Sequence, residues 1–479
     1  MKFIKVGCLV CAFMIAMLSH IYCQKVTVSR EIGIRNNYAY EILPNIEDRI
    51  IFYHDRGTEQ QFEIYDNNLR HIQSLIPEFE KKNIIPAGLI GMDTSFNFYY
   101  SYRDEDSTIL KVNVYDKSVS LKDTNIISVN RKNFKKDNPK FAYSQDKSKV
   151  LIFNPDDKNL HLQLIDNYKR KLIYEFTLSL KDINLKTDFQ KLEVSNKGEV
   201  FILGRKSSFW GRDNEKGFLL IRILDQTNIF IHRFNPERDH ISDLLMDYDE
   251  KNQRLALAGL TNEGDESKSN GYFAFSIRAN DIPTDAEILI NRFSPEFLAE
   301  VSGKKIGKVK EISNYQLRDI VVRNDGGVII VCEVVKEFTR RSQINSPGQV
   351  GDYFPYRGFV DYYHEDLIII ATFPEGKEHW KKIFFKKQFS QDDNAIYSSY
   401  YLFKSPSQIK LIYNDEIKNN NTVSEYIFDP MGNAERRSVL STEYQNLKLR
   451  FREAIQIGPA SLIVPSEKSW KINMVKIDY

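Results

Sequence analysis

The chain reads as an all-β protein, a β-propeller of four-stranded antiparallel blades, eight in number, with seven as the alternative. Three observations predict this. Apolar runs turn on short polar hinges and run straight back, as in Leu192-Glu-Val-Ser-Asn-Lys-Gly-Glu-Val-Phe-Ile-Leu203 and Asp319-Ile-Val-Val-Arg-Asn-Asp-Gly-Gly-Val-Ile-Ile-Val331. Corresponding runs near Val150, Val200 and Leu255 recur about every fifty residues, with hairpins and no helices between them, which is the pitch of a repeat whose unit is one sheet. Aromatic residues make up 13 % of the chain, enough to supply the cross-strand ring pairs that β-rich folds use.

The first residues read as an export signal. Lys2 and Lys5 precede an uncharged apolar run from Val6 to Leu18, followed by the polar exit Ser19-His-Ile-Tyr-Cys-Gln24. That run is shorter than the ~20 apolar residues a membrane span wants, so residues 1–23 read as a cleaved signal peptide and 24–479 as one propeller domain. The alternative is a lipoprotein signal acylated at Cys23, against which bulky Tyr22 argues. Either way the protein is expected to be exported: periplasmic, outer-membrane-associated or secreted, without a transmembrane segment and monomeric.

Four-run units can be traced from Tyr38, Ile85, Pro139, Asp188, Ser242, Tyr315, Tyr397 and Lys448. Each such sheet has two faces to bury, and stacking against neighbouring sheets buries them. The last unit has only three runs before the chain ends, and an unassigned strand at 25–32 precedes the first. Pairing that strand with 470–477 completes the eighth blade and removes two exposed sheet edges.

Connectivity then sorts the loops by face. Second-to-third strand loops and blade-to-blade connections share one face, and the other two loop types share the opposite one. Turns of the latter class are short: Asp66-Asn-Asn, Asp116-Lys-Ser, Asp166-Asn-Tyr, Asn196-Lys-Gly and Asp429-Pro-Met-Gly. Segments 130–138, 205–216, 261–270, 294–314, 338–357 and 415–422 belong to the first class and are long. Binding groups concentrate on loops held by a rigid scaffold, so the long-loop face is the candidate functional surface.

Balance is the main message of the charge count. The 67 basic and 65 acidic residues become 65 of each once Lys2 and Lys5 leave with the signal. A nucleic-acid footprint would need a basic excess or stripe. Cys8, Cys11 and Cys23 lie in the signal, leaving Cys332 inside an apolar strand as a small core hydrophobe without a disulfide partner. The core alone must then hold the fold, and about 456 residues suffice for that.

One stretch, 314–403, carries Tyr315-Gln-Leu-Arg-Asp-Ile-Val-Val, Asp325-Gly-Gly-Val-Ile-Ile-Val-Cys-Glu333, Tyr362-Tyr-His-Glu-Asp-Leu-Ile-Ile-Ile and His379-Trp-Lys-Lys-Ile-Phe-Phe-Lys-Lys-Gln-Phe-Ser390. It resembles an uncharacterised family of exported bacterial β-propeller-like proteins, with Phe384-Phe385 where that family carries Ile-Pro. The resemblance covers about a fifth of the chain. It implies export and a propeller-like fold, and it brings no activity and no catalytic residue.

Catalytic signatures are missing from the chain. The Ser-x-Asp-x-Gly-x-Thr-Trp turns of sialidase-type propellers are absent, Ser195-Asn-Lys-Gly-Glu-Val-Phe being an ordinary hairpin. Neither a Gly-x-Ser-x-Gly elbow nor a phosphate-binding loop occurs. His364-Glu365-Asp366 reads as a solvated strand end, and no cofactor is expected. Asp156-Asp157 and Asn262-Glu-Gly-Asp-Glu266 offer carboxylates to calcium but lack the alternation of a calcium loop.

What remains is a recognition surface. Arg205, Trp210 and Arg212 in one long loop, and Arg340, Arg341, Tyr353, Tyr356 and Arg357 in another, combine the residue types enriched at binding hot spots. The expected function is non-catalytic binding of an envelope or extracellular protein or glycan. The alternative is a carbohydrate-active hydrolase or lyase with acids converging in the central funnel, which packing of these loops against the blades would leave untouched.

Overall fold

A computed structural model of the chain describes residues 24–479 apart from 131–138, 157, 181–183, 185–186, 206–216, 237–238, 341–358, 406, 416, 418–421 and 441–445. Eight antiparallel sheets, each built on four strands, form the ring. Their innermost strands are Ala39–Ile46, Ile85–Gly91, Lys140–Tyr143, Phe189–Val194, His240–Asp249, Tyr315–Val322, Tyr400–Lys404 and Ile455–Gly458, and we number the blades 1 to 8 in that order. Seven blades, the alternative, is thereby excluded. Among the described residues no helix is long and apolar enough to cross a membrane.

The ring closes through its two ends. Lys25–Val28 is the outermost strand of blade 8, antiparallel to Lys471–Asp478 with Lys25 opposite Asp478 and Val28 opposite Val475. Ile32 then pairs with Ile472 on the same strand. Val475 and Ile477 are fully buried, so closure brings apolar packing as well as ladder hydrogen bonds.

Within a blade, the two middle strands are buried on both faces and read as continuous apolar runs. Val328–Arg340 begins with seven consecutive buried residues, and its neighbour Phe359–Thr372 ends with six. Clusters of buried side chains sit between adjacent sheets. One joins Leu43, Ile51, Phe62 and Ile64 of blade 1 to Leu89, Phe96, Phe98 and Tyr100 of blade 2. At Gly88 an added Cβ would lie 2.4 Å from the Phe141 ring of blade 3, so only glycine lets these inner strands approach.

The short turns have a shared cause. Asp66 Oδ1 accepts from Asn68 and Arg70 N–H at 2.8 Å each, Asp116 Oδ1 from Ser118 and Ser120, and Asp429 Oδ1 from Met431 and Asn433. One aspartate per turn satisfies two backbone donors and fixes a tight reversal.

Two departures sit between blades 5 and 6. A helix stands at Pro295–Ser302, where Ser294 caps the N-terminus, Pro295 pre-sets the first turn, and Gly303 at φ +65° ends it. Phe297 and Leu298 anchor it in the blade 5–6 core. Before it, Asp285–Glu287 adds a parallel strand to the outer edge of blade 4, and Asn291–Arg292 returns as the fourth strand of blade 5.

Candidate functional site

On the long-loop face, one hairpin outgrows its blade. Val328–Arg340 and Phe359–Thr372 are 13 and 14 residues long, whereas the inner strand beside them reaches no further than Tyr315 opposite Val334. Beyond that point the pair continues to Arg340 opposite Phe359 as a projecting arm. Gln388–Gln391 supports one edge of it, pairing with Asp361 to His364. Arg340 reaches Asp361 Oδ1 at 2.7 Å, Lys336 reaches Glu365 at 2.6 Å, and Phe338 meets Tyr363 edge-on at 5.8 Å. Even so, Phe338 stays 53 % and Phe359 49 % exposed, two large apolar rings held at the rim.

The sequence-derived candidates fall into three groups. Arg340 stands on this arm, half-exposed yet paired. Arg205 is a latch between blades: its guanidinium donates to the Ser242 carbonyl at 3.0 Å and to Ile241, and faces Glu266 at 3.7 Å. Trp210, Arg212, Arg341, Tyr353, Tyr356 and Arg357 lie outside the described residues.

The described residues of 314–403 fold into blade 6 and the start of blade 7, and among them is a cluster of buried polar side chains. Glu333, with no solvent exposure, accepts from Lys386 Nζ at 2.7 Å and Ser399 Oγ at 2.7 Å, and meets His364 Nδ1 at 3.1 Å. Lys386 also donates to Gln388 Oε1 at 2.7 Å and the His364 carbonyl at 3.1 Å. Gln388 in turn donates to the backbone of Asn414 and Ser399. Burial acts to raise the Glu333 carboxyl, but the Lys386 charge and the His364 bond overcome it and hold the group at about 2. For Lys386 burial acts the other way, pulling the ammonium down against the pull of Glu333. We take the pair as ionised, because four groups converge on the carboxylate, counting Arg318 at 3.5 Å. His364 is therefore buried here, not solvated as its sequence context suggested: it lies mid-strand beside the register shift at Glu333/Val335.

The opposite mouth of the axial channel collects acids that sequence reading missed. A cavity of about 370 Å³ is lined by Tyr143, Glu193, Asp247, Tyr248, Arg323 and Lys404, from the inner strands of blades 3 to 7 and the turns that follow them. Burial raises the carboxyls of both Glu193 and Asp247, while the Lys404 and Lys191 charges pull them back. Lys404, on blade 7, thus acts across the axis on blades 4 and 5. Lys191 lies 2.8 Å from Glu193 and donates to the Met246 carbonyl at 2.6 Å, tying those two blades together. On the inner strand of blade 1, burial lifts Glu41 to about 7. The signal in the sequence is a charge at every second position of an inner strand, as in Lys191-Leu-Glu193 and Asp247-Tyr-Asp249, which a hairpin reading takes for an ordinary solvent face.

A second cavity, about 490 Å³, runs outward between blades 6 and 7 and shares Val321, Val322, Arg323, Asn324 and Lys404 with the axial one. Cys332 is buried in the core, its thiol pushed well up by burial, and is the one free cysteine among the described residues. No three His, Cys, Asp or Glu side chains converge as a metal set among those residues. Asp265 instead accepts from Ser267 and pairs with Lys268.

No family model matches the chain, and no curated protein matches it. Among solved structures it is similar to the Dos1 propeller at 9 % identity over 94 % of this chain and 95 % of that one, with a TM-score of 0.46. It is also similar to the polysaccharide lyase Uly1 at 8 % identity, 94 % and 99 % coverage, and a TM-score of 0.43. A functionally unknown protein from Desulfotomaculum acetoxidans aligns at 11 % identity over 80 % of this chain and 93 % of that one, with a TM-score of 0.34. Likeness at this level carries no activity across.

Proposed function

We propose that this chain is an exported, non-catalytic propeller that binds a protein or glycan partner through its long-loop face. The projecting arm carries this reading. Two rings held about half-exposed at the tip of a two-stranded arm form the kind of rigid aromatic anchor that dominates binding energy. Ion pairs between its two strands stiffen the arm, so less ordering entropy is left for the partner to offset. Export rests on the basic-then-apolar start, whose residues 1–23 lie outside the described ones. The test is capture from envelope fractions with residues 24–479 as bait, compared with the same bait carrying Phe338→Ala and Phe359→Ala. A partner retained by both baits alike removes the arm from the site.

One observation favours the second reading, carbohydrate hydrolysis or elimination in the funnel. Glu193 and Asp247 both line the axial cavity and both have raised carboxyls, the environment that readies an acid for proton transfer. Turnover would appear as new reducing or unsaturated sugar ends, lost in Glu193→Gln.

A further inference from the structure

We infer that the short-turn face carries a second binding site, in which the axial cavity and the radial trough between blades 6 and 7 together hold an extended neutral oligosaccharide. The site is independent of the arm, which projects from the opposite face.

Shape comes first. The two cavities adjoin, sharing Arg323 and Lys404 in their linings, and each falls within the ~300–1,000 Å³ range of ligand pockets. A hole with a radial trough beside it suits a chain with one end on the axis, rather than a compact cofactor.

The walls then select the chemistry. The trough is floored by Val321, Ile329, Ile409, Phe428 and Pro430, with Ser407 and Gln408 among its polar groups. Its outer wall is fixed, because Trp380 Nε1 donates to the Pro430 carbonyl at 3.0 Å and packs edge-on to Phe428. Apolar floor under polar walls matches a sugar ring, which shows a C–H face and a hydroxyl edge. The axial hole collects the acids Glu193, Asp247, Asp249 and Glu250 from the blade 4 and 5 side and the bases Lys251, Arg323 and Lys404, the last two from blades 6 and 7. Opposite signs in near balance disfavour a ligand of strong net charge and suit hydroxyl groups, which both donate and accept. Lys404 stands at the junction of the two cavities, exposed, and its ammonium makes no ion pair among the described residues.

An extended peptide fits less well. Peptides in this conformation add to a sheet edge through backbone hydrogen bonds. The trough is bordered instead by strand ends and by the turns holding Asn324, Ser405 and Asp429, so no such edge is offered.

The experiment is calorimetric titration of residues 24–479 with neutral hexasaccharides of glucose, mannose, xylose and N-acetylglucosamine, with a galacturonate hexamer and a hexapeptide as comparators. At least one neutral sugar should bind with a Kd below about 1 mM, and Lys404→Ala with Gln408→Ala should weaken it at least tenfold. Asp247→Asn should weaken it too, without any loss in Phe338→Ala. Melting temperatures of all variants serve as the folding control. The inference is overturned if no neutral sugar binds, if the folded funnel and trough variants bind as well as the parent, or if the uronate or peptide binds better.

Discussion

Lys386 Nζ lies 2.7 Å from Glu333 Oε1, and neither side chain has any exposure to solvent. Glu333 lies on a middle strand of blade 6 and Lys386, 53 positions on, in the link between Glu378–Phe384 and Gln388–Gln391, so the pair ties that link to the root of the projecting arm. Breaking such a pair by removing one partner leaves an uncompensated buried charge. Glu333→Gln should therefore destabilise the fold by about 3–5 kcal/mol, read as a shift in the denaturant midpoint. A shift under 1 kcal/mol would mean that Lys386 discharges or finds another acceptor.

The same carboxylate makes stability depend on pH. Its folded value, about 2, lies below the ordinary 4.5. A group lowered on folding stabilises above its unfolded value and loses that stabilisation as pH falls towards the folded one. The stability gap between the parent and Glu333→Gln should be full above about pH 4.5 and narrow steadily towards pH 2. Paired melts across that window check it, and a gap independent of pH would contradict the ionised pair.

Gly88 should resist the smallest substitution. Its added methyl would meet the Phe141 ring at 2.4 Å, inside any real contact distance. Gly88→Ala is expected to cost about 1–3 kcal/mol, as overpacking does, and Phe141→Leu in the same chain should restore part of it. Additive losses in the double variant would show that the two sites do not touch.

For the arm, truncation of exposed rings should separate binding from folding. Phe338→Ala with Phe359→Ala should leave the melting temperature nearly unchanged, because both rings are about half-exposed. Partner capture should fall at least tenfold, about 1.4 kcal/mol, which is modest for anchor residues. The triple replacement of Tyr353, Tyr356 and Arg357 by Ala extends the test to the loop the arm carries.

Export has a chemical signature. Mass spectrometry of protein from the native envelope should find Gln24, often cyclised, at the N-terminus. A diacylated Cys23 would instead establish the lipoprotein reading.

The ring was legible in the sequence because each hairpin is local. Leu192 to Leu203 contains both strands, their turn and their alternation, and the observed strands Phe189–Val194 and Val200–Arg205 differ from it only at the ends. Closure was legible for a similar reason: a unit short of one strand and an unassigned strand at the other end have one economical solution. The polar interior was not. Glu333, His364, Lys386 and Ser399 come from separate strands and turns, and nothing in any single stretch distinguishes them from surface residues. The funnel acids Glu193 and Asp247 stand one whole blade apart, and they face one cavity only because the ring curves. Where the candidate site had to be read from loops, Arg205 shows the hazard: an arginine at a strand end found carbonyls on the next blade.

The strand Lys25–Val28 is the first part of the ring to be synthesised and its pairing is the last to become possible. Its partner Lys25↔Asp478 cannot exist until nearly the whole chain is out. For all that time the molecule is an open crescent with two unpaired borders, one at each end, and any ladder formed elsewhere is local. Closing a loop of this length adds little entropy per extra residue, since the penalty grows only logarithmically, but it sets the order of events. A chain halted before its final strand is thus more than a slightly smaller propeller: it is an unlatched one, with its earliest residues still searching for a neighbour.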